Sequence, residues 1–324
     1  MMLKRPRRNR QSPSIRSLMQ ETYLHPQDFV VPFFLIEGNK QKQNIPSMPQ
    51  VHKFSLDLLL KEAESLHKKG IEAIALFPSY PKEAKDDVGS LSLSPKGLVP
   101  QALQLLKKEL PSLTLIADVA LDPYTSHGHD GVIGKKLDVD NDKTVDILMK
   151  AAVIYGMAGA DFVAPSDMMD GRVEAIRRNL DNNDLTNTGI ISYTAKYASS
   201  LYGPFRDTLG SSLSFGDKKS YQMNPANSRE ALLEASLDEA EGADALMIKP
   251  ASFYLDIISK IKDKSNLPIC AYQVSGEYAM IRAGEEKGIL DANKVFYESL
   301  LSIKRAGADF IFTYAAPFIL DSLR

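Results

Sequence analysis

Cysteine is almost absent from this chain, since Cys270 is the single one among 324 residues. It cannot form an internal disulfide or build a thiolate metal site. It lies within the apolar run 267–272, where a role in core packing is expected. This cysteine usage favours a reducing compartment, and the cytoplasm is the predicted location.

Long apolar runs and an excess of one charge are also missing. No stretch approaches the roughly 20 apolar residues of a membrane-spanning helix. No apolar segment follows the basic residues 1–10, so a secretory signal is not expected. The net charge of −2 provides no overall field for nucleic acid or an anionic membrane. Binding of nucleic acid or a protein partner through the basic start remains a minor alternative.

Eight short apolar runs alternate with segments of helical spacing from residue 29 onward. Runs without polar alternation are typical of strands buried on both faces. They cover residues 29–37, 71–78, 113–121, 160–166, 189–195, 243–249, 268–275 and 308–315. This alternation predicts an α/β fold, a (β/α)8 TIM barrel. An open doubly wound sheet is the alternative, weakened because no Gly-x-Gly-x-x-Gly follows the first run.

A Gly-Ala-Asp sequence recurs at the start of three of these runs. It occupies positions 159–161, 242–244 and 307–309. The glycine is expected to end the preceding helix in a left-handed conformation, and the short polar segment with the aspartate then leads into the strand. The repeat therefore supports a fold built from successive helix–strand units.

Two segments lie outside the regular pattern. Residues 1–28 are basic at first and then mixed, and they are predicted to form an extended N-terminal arm that contacts another subunit. Residues 29–324 are predicted to form one catalytic barrel. Within it, residues 197–227 make a long loop rich in glycine and serine, which is typical of an active-site lid.

Two lysines mark the ends of the fifth and sixth runs: Lys196 directly follows the fifth, and Lys249 is the last residue of the sixth. Active sites of such barrels lie at the carboxyl ends of the strands, and consecutive strands are neighbours. Each ammonium group is therefore expected to lower the pKa of the other, and burial adds to this effect. A neutral amine attacks a ketone to give a Schiff base. The pair predicts Schiff-base chemistry, with a class I aldolase on another keto substrate as an alternative.

The remaining candidates lie at strand ends and in the long loop. The strand ends carry Asp118, Asp122, Ser166, Asp167, Ser275 and Tyr314. The loop carries Phe205, Arg206, Lys218 and Gln222. Arginine holds a carboxylate through paired hydrogen bonds, so the loop is expected to bind an anionic substrate group.

Two motifs around the lysines resemble the signatures of a known family. Residues 192–207 read Ser-Tyr-Thr-Ala-Lys-Tyr-Ala-Ser-Ser-Leu-Tyr-Gly-Pro-Phe-Arg-Asp, and residues 247–250 read Met-Ile-Lys-Pro. Both are similar to the lysine segments of the 5-aminolevulinate dehydratase family, also called porphobilinogen synthase. Residues 118–131, 164–172, 272–278 and 313–314 match as well, so the resemblance spans nearly the whole chain.

This resemblance implies a reaction and a role for each candidate. The family condenses two molecules of 5-aminolevulinate into porphobilinogen, with loss of two waters, in tetrapyrrole and haem biosynthesis. Lys249 and Lys196 would each form a Schiff base with one substrate. Ser275 and Tyr314 would hold one carboxylate, Arg206, Lys218 and Gln222 the other, and Phe205 would form a wall. Asp118, as a catalytic residue, with Ser166 and Asp167, would lie near the substrate amines and the lysines.

The metal loop departs from that of the zinc-dependent members. Their three cysteines are replaced here by Ala120, Asp122 and Asp130, and carboxylates favour Mg²⁺ over zinc. The resemblance implies a zinc-independent, Mg²⁺-responsive type, with at most a weakly bound cation at the two aspartates. An allosteric Mg²⁺ would bind at Glu234. No organic cofactor is implied, and a homo-octamer is expected.

Overall fold

The structure, a computed structural model, describes residues 2–135 and 138–323. The strands are β1 Phe29–Leu35, β2 Lys42–Asn44, β3 His52–Phe54, β4 Ala73–Pro78, β5 Thr114–Val119, β6 Phe162–Pro165, β7 Gly189–Lys196, β8 Ala245–Lys249, β9 Ile269–Gln273 and β10 Phe310–Thr313. The α-helices are α1 Pro13–Leu18, α2 Leu56–Lys68, α3 Leu98–Glu109, α4 Asn141–Met157, α5 Arg172–Asn182, α6 Gly203–Leu209, α7 Arg229–Ala240, α8 Leu255–Lys262, α9 Ser275–Glu286, α10 Ala292–Arg305 and α11 Ala316–Ile319. Short 3-10 helices cover Pro6–Arg10, Pro26–Asp28, Lys82–Ala84, Ser90–Leu93, Ser200–Tyr202, Ser252–Tyr254 and Leu320–Ser322.

Parallel strands close into a barrel in the order β1, β4, β5, β6, β7, β8, β9, β10. The last strand pairs with the first, and Phe29 of β1 lies opposite Ile311 of β10. This closure excludes an open sheet and confirms the predicted (β/α)8 barrel. Each predicted apolar run overlaps one barrel strand, and the differences are confined to the strand ends.

The β2–β3 hairpin is a feature that the sequence did not predict. Its strand β3 extends the sheet from the carboxyl end of β1, where Phe34 lies opposite Lys53. The residues of β2 are exposed and polar, so they carry no buried apolar pattern. The hairpin is therefore defined by its backbone pairing with β1 rather than by burial.

The barrel strands are apolar because they are covered on both faces. Every residue of β1 and of β8 is buried. The burial of β8 includes its last residue, Lys249. A side chain with an ionisable amine is thus held inside the core at the carboxyl end of the barrel.

The Gly-Ala-Asp repeat turns each helix into the next strand. Gly159, Gly242 and Gly307 have φ angles of 104°, 101° and 120°, which confirms the predicted left-handed turn. The aspartates add a contact to the neighbouring strand. The Oδ2 atoms of Asp161, Asp244 and Asp309 accept hydrogen bonds from the backbone N–H groups of Leu115, Ile190 and Ile269 at 2.8, 2.7 and 2.7 Å. The repeat therefore fixes strand register at the amino end of the barrel.

The segment that precedes the barrel has few contacts with it. No residue of Pro6–Arg10 or of α1 is buried. Contact with the barrel begins near its end, where Lys304 Nζ donates to Asp28 Oδ1 at 2.8 Å. Within the described residues, no helix combines the length and apolarity needed to cross a membrane.

Asp244→Ala is expected to lower the free energy of unfolding by about 1 kcal/mol, because the N–H of Ile190 loses its acceptor. Asp244→Asn retains an acceptor oxygen and should recover part of this loss. Asp263→Ala, an exposed aspartate at the end of α8, serves as the control. Urea denaturation at fixed protein concentration measures the difference. Equal stability of Asp244→Ala and the control would contradict a role for the repeat in strand register.

Candidate active site

Lys196 and Lys249 are direct neighbours across two adjacent strands. They end β7 and β8, and the register pairs Lys196 with Lys249. The register shifts between Ser192 and Ala195, where β7 contains one residue more than β8. Such a bulge re-aims the side chains that follow it. Both lysines are buried and line the same cavity, as the sequence predicted.

Lys249 is surrounded by aromatic rings. Its Nζ lies 4.5 Å from the ring centre of Tyr272, 5.0 Å from those of Tyr193 and Phe205, and 5.4 Å from that of Tyr202. Within the described residues, no hydrogen bond or ion pair reaches this nitrogen. Burial, and secondly the charge of Lys196, lower the pKa of Lys249 to about 7. Lys249 therefore has a large neutral fraction near neutral pH.

Lys196 has the opposite environment. Its Nζ donates to Asp130 Oδ2 at 3.0 Å and to the carbonyl oxygen of Ser166. Burial acts to lower the pKa of Lys196, but the charges of Asp130 and Asp122 raise it above the usual lysine value. The prediction that both lysines have lowered pKa values is therefore wrong for Lys196. Its buried carboxylate partner keeps the ammonium group charged.

Asp130 binds a second lysine from the 197–227 segment. Lys218 Nζ donates to Asp130 Oδ1 and lies 3.9 Å from Asp122 Oδ2. Gln222 Nε2 donates to Asp130 Oδ2 at 3.4 Å. Asp130 is buried, and the two ammonium groups hold its pKa below the usual range against the effect of burial. Lys218 and Gln222 thus lie in the site, but in this structure they contact a carboxylate of the chain itself.

Asp118 is, like Lys249, a buried group with a pKa near neutral. Burial raises the pKa of Asp118 to about 7, while the charge of Lys249 opposes the increase. Its Oδ1 atom has no hydrogen-bond partner within the described residues, and neither does the hydroxyl of Tyr193. Asp118 is therefore able to carry a proton near neutral pH.

Helix α6 places two of the predicted residues at the mouth. Phe205 and Arg206 both line the cavity that contains the lysines. The ring of Phe205 also packs against Phe34 and Phe77, with centroids 5.7 and 5.5 Å apart. The cavity has a free volume of about 20 Å³, which is room for one water molecule.

Ser275 and Tyr314 lie behind Phe205. Ser275 Oγ accepts a hydrogen bond from the N–H of Phe205 at 3.0 Å. The hydroxyls of Tyr314 and Tyr272 are 2.9 Å apart, and the ring of Tyr314 stacks on Phe34. Ser275 and Tyr314 thus contact Phe205 and Tyr272, two of the residues whose rings surround Lys249, but they do not line the cavity itself.

Ser166 and Asp167 follow β6 but have different surroundings. Ser166 lines the cavity. Asp167 instead accepts a hydrogen bond from the N–H of Met169 at 2.7 Å and lies 3.9 Å from Arg172 Nε. Asp167 therefore supports the loop after β6 rather than the cavity wall.

Glu234 lies outside this cavity, on α7. It borders a separate polar cavity of about 360 Å³, together with Asp138, Asp170 and Glu230. Burial raises the pKa of Glu234 to about 7, and Arg172 opposes the increase. This carboxylate is poorly solvated and thus favours a cationic ligand.

Sequence reasoning missed the tyrosines around Lys249 and the role of Asp130 as a counter-ion. The segments that resemble the family include Tyr193, Tyr202 and Tyr272, so the resemblance was the signal that could have identified them. Asp130 was interpreted only as a cation ligand. Its contact with Lys196 joins residues 66 positions apart, through a loop whose path no periodicity reveals.

The arrangement defines a class of protein, a (β/α)8 barrel enzyme with buried amines at the carboxyl-end mouth. A family model described as delta-aminolevulinic acid dehydratase matches residues 3–322. The delta-aminolevulinic acid dehydratase of Chlamydia pneumoniae is 54% identical, over 99% of this chain and 96% of its own length. The chloroplastic protein of that name from Physcomitrium patens is 52% identical, over 96% of this chain and 72% of its own length.

A solved structure agrees with these relatives. It is the delta-aminolevulinic acid dehydratase (porphobilinogen synthase) of Toxoplasma gondii ME49, in complex with the reaction product porphobilinogen. It matches with a TM-score of 0.97 and 48% identity, covering 99% of this chain and 92% of that one. The chain belongs to the delta-aminolevulinic acid dehydratase family. It is a lyase that condenses two molecules of 5-aminolevulinate into porphobilinogen in tetrapyrrole biosynthesis, and the aldolase alternative is set aside.

The charge state of Lys249 predicts that trapping of the substrate on this lysine depends on pH. Trapping of 5-aminolevulinate on Lys249 by borohydride should rise as pH increases from about 6 to about 8, because the neutral amine is the nucleophile. Lys196→Met should move the midpoint to higher pH, since the charge of Lys196 lowers the pKa of Lys249. Mass spectrometry of the peptide that contains Lys249 gives the yield at each pH. A midpoint near the ordinary lysine pKa of 10.5 would contradict this assignment.

Proposed function

We propose that the condensation proceeds through Schiff bases on both lysines, and that Lys249 reacts first. The observation that carries this proposal is the register pair of Lys196 and Lys249, which presents two amines to one cavity. Their opposite pKa shifts give the order, because Lys249 is neutral where Lys196 is still protonated. The Nζ of Lys249 attacks the ketone carbon, a C–N bond forms, and the carbonyl oxygen leaves as water.

Asp118 is the proton carrier that this step needs. The hydroxyl of the carbinolamine leaves only after it is protonated, and a group of pKa about 7 both gives and takes protons at neutral pH. Asp118 interacts electrostatically with both lysines. We assign it the transfer of protons between the two amines and the departing waters.

The two carboxylates of the substrates would bind on opposite sides of the lysine pair. On one side, Ser275 and Tyr314 provide hydroxyls that contact Phe205 and Tyr272 of the aromatic wall around Lys249. On the other, Lys218 and Gln222 contact Asp130, the partner of Lys196, and Arg206 lines the same cavity. Two unlike receptors allow the enzyme to hold two copies of one molecule in different orientations. Holding both in one site converts a bimolecular encounter into a reaction between bound groups.

We infer that residues 197–227 act as a lid, which we call the lid segment. The free volume of about 20 Å³ is far too small for two substrate molecules. Lys218, on the lid segment, fills the space beside Asp130. Opening would withdraw Lys218, and closing would transfer it from Asp130 to an incoming substrate carboxylate.

The polar cavity beside Glu234 fits an allosteric Mg²⁺. Within the described residues there is no set of three or more Asp, Glu, His or Cys suited to a metal, so the ion would retain water ligands, as Mg²⁺ commonly does. Glu234 would hold the ion, whose charge would favour the ionised carboxylate. The chain is thereby proposed to be of the zinc-independent, Mg²⁺-responsive type.

The donor set at Asp122 and Asp130 fits a cation less well. Lys196 and Lys218 already neutralise Asp130, and a cation there would have to displace one of the ammonium groups. We therefore route no step through a metal at these residues. The absence of zinc remains a prediction.

Residues 1–28 are proposed to be an arm that docks on another subunit of an octamer. A six-residue helix such as α1 is not stable in isolation, and none of its residues is buried here. Leu3 and Leu18 are 85% and 78% exposed. A neighbouring barrel would cover these apolar side chains. A cytoplasmic location and the lack of a nucleic-acid partner remain predictions.

Lys249→Met is expected to abolish porphobilinogen formation and borohydride trapping at position 249. Lys196→Met should also abolish turnover but still allow an adduct on Lys249, because that lysine reacts first. Lys219→Met, an exposed neighbour of the lid lysine, serves as the control and should retain both activities. Mass spectrometry locates the adduct. An adduct found only on Lys196 in the unaltered enzyme would reverse the proposed order.

Glu234→Gln is expected to eliminate stimulation by Mg²⁺, whereas Glu239→Gln, an exposed change on the same helix, should retain it. Because burial raises the pKa of Glu234 to about 7, protons compete with the ion at lower pH. The Mg²⁺ concentration for half-stimulation should therefore fall as pH rises from about 6 to about 8. Activity with and without Mg²⁺, in the presence of a zinc-selective chelator, measures the effect. Loss of activity under the chelator alone would indicate a zinc enzyme.

A further inference from the structure

We propose that Lys85 is a positioning residue for this reaction, because its ammonium group holds the carboxyl-terminal end of α6 over the lysine pair. Lys85 lies outside both the barrel strands and the lid segment, in the loop that follows β4. The proposal rests on the proposed role of α6, which carries Phe205 and Arg206.

The contacts at the end of α6 come from that loop. Lys85 Nζ donates to the carbonyl oxygens of Leu209 and Gly210 at 2.8 and 2.9 Å. Ser79 Oγ donates to the carbonyl oxygen of Thr208 at 3.1 Å. Three consecutive carbonyls thus have donors from outside the helix. The last carbonyls of a helix lack partners within it, and a cation is favoured there.

The position of Lys85 is not explained by an ion pair. Within residues 2–135 and 138–323, its ammonium group has no carboxylate partner, and its hydrogen bonds go to these two carbonyls. Burial lowers the pKa of Lys85, and the charge of Asp122 opposes the effect. A half-buried lysine whose ammonium group donates its hydrogen bonds to the lid segment is consistent with a positioning role.

Helix α6 needs contacts of this kind because it is short. Its seven residues are too few for a stable helix in isolation. At its start, the N–H of Phe205 donates to Ser275 Oγ at 3.0 Å. At its end, Gly210 has a φ of 57°, and the chain turns there toward Lys218. Fixing both ends sets the position of Phe205 and Arg206 between them.

Lys85→Met is the test, since it keeps most of the aliphatic stem and removes the ammonium group. We expect kcat/KM for 5-aminolevulinate to fall about tenfold, mostly through KM, as loss of a charged hydrogen bond predicts. Trypsin cleavage after Arg206, followed by mass spectrometry, should accelerate about tenfold because α6 opens more often. The thermal midpoint should stay within about 3 °C of that of the unaltered enzyme. Lys85→Arg should restore most of the loss.

The matched control is Lys82→Met, an exposed lysine in the same loop. It should leave KM and the cleavage rate unchanged. A lowered thermal midpoint in Lys85→Met with unaltered KM and cleavage would indicate a purely structural role and overturn the proposal. So would equal effects of the two methionine variants, or no recovery with arginine.

If Lys85→Met does not fold, Ser79→Ala is the deciding variant. It removes the hydroxyl that donates to the carbonyl oxygen of Thr208 at the same helix end. A smaller change in the same direction supports the proposal, and unaltered KM and cleavage overturn it. Borohydride trapping separates this proposal from the preceding one. No adduct on Lys249 in the unaltered enzyme would refute the Schiff-base assignment, whereas a normal adduct with no effect of Lys85→Met refutes only the role of Lys85.

Discussion

The buried ion pair between Lys196 and Asp130 determines how the rest of the site works. Two lysines side by side in a barrel would otherwise repel each other and share similar environments. Asp130 approaches one of them at 3.0 Å and leaves the other among aromatic rings. One amine is thereby held as a cation and the other has a pKa of about 7. Two identical side chains therefore have different charge states and can take different roles in the reaction.

The same carboxylate links this asymmetry to the lid segment. Asp130 contacts Lys196 through Oδ2 and Lys218 through Oδ1. A substrate carboxylate that binds Lys218 therefore competes with Asp130 for one cation. The first substrate is proposed to bind its carboxylate at Ser275 and Tyr314, so it leaves Lys218 on Asp130. Lys196 therefore stays paired with Asp130 and protonated while Lys249 reacts.

The sequence was sufficient for the barrel and for the lysine pair because both depend on local and periodic features. Apolar runs mark strands wherever they occur, and consecutive parallel strands of a barrel must be neighbours. The partners of each lysine were not predictable in this way. Lys196 meets a loop residue 66 positions away, and Lys85 meets carbonyls more than 120 positions away. The β2–β3 hairpin was missed for a different reason, since its short exposed strand β2 has no apolar pattern.

The shift of register in β7 explains how the two lysines come to lie side by side at the ends of adjacent strands. A regular strand would carry the alternation from Ser192 to Lys196 unchanged. The extra residue between Ser192 and Ala195 changes which face the following side chains occupy, and it brings Lys196 level with Lys249. Lys249, on the regular strand β8, points among the aromatic rings. Lys196 follows the bulge and reaches the loop after β5, where Asp130 lies. The inserted residue therefore brings the two amines to the same level of the barrel, and the loop that carries Asp130 then distinguishes them.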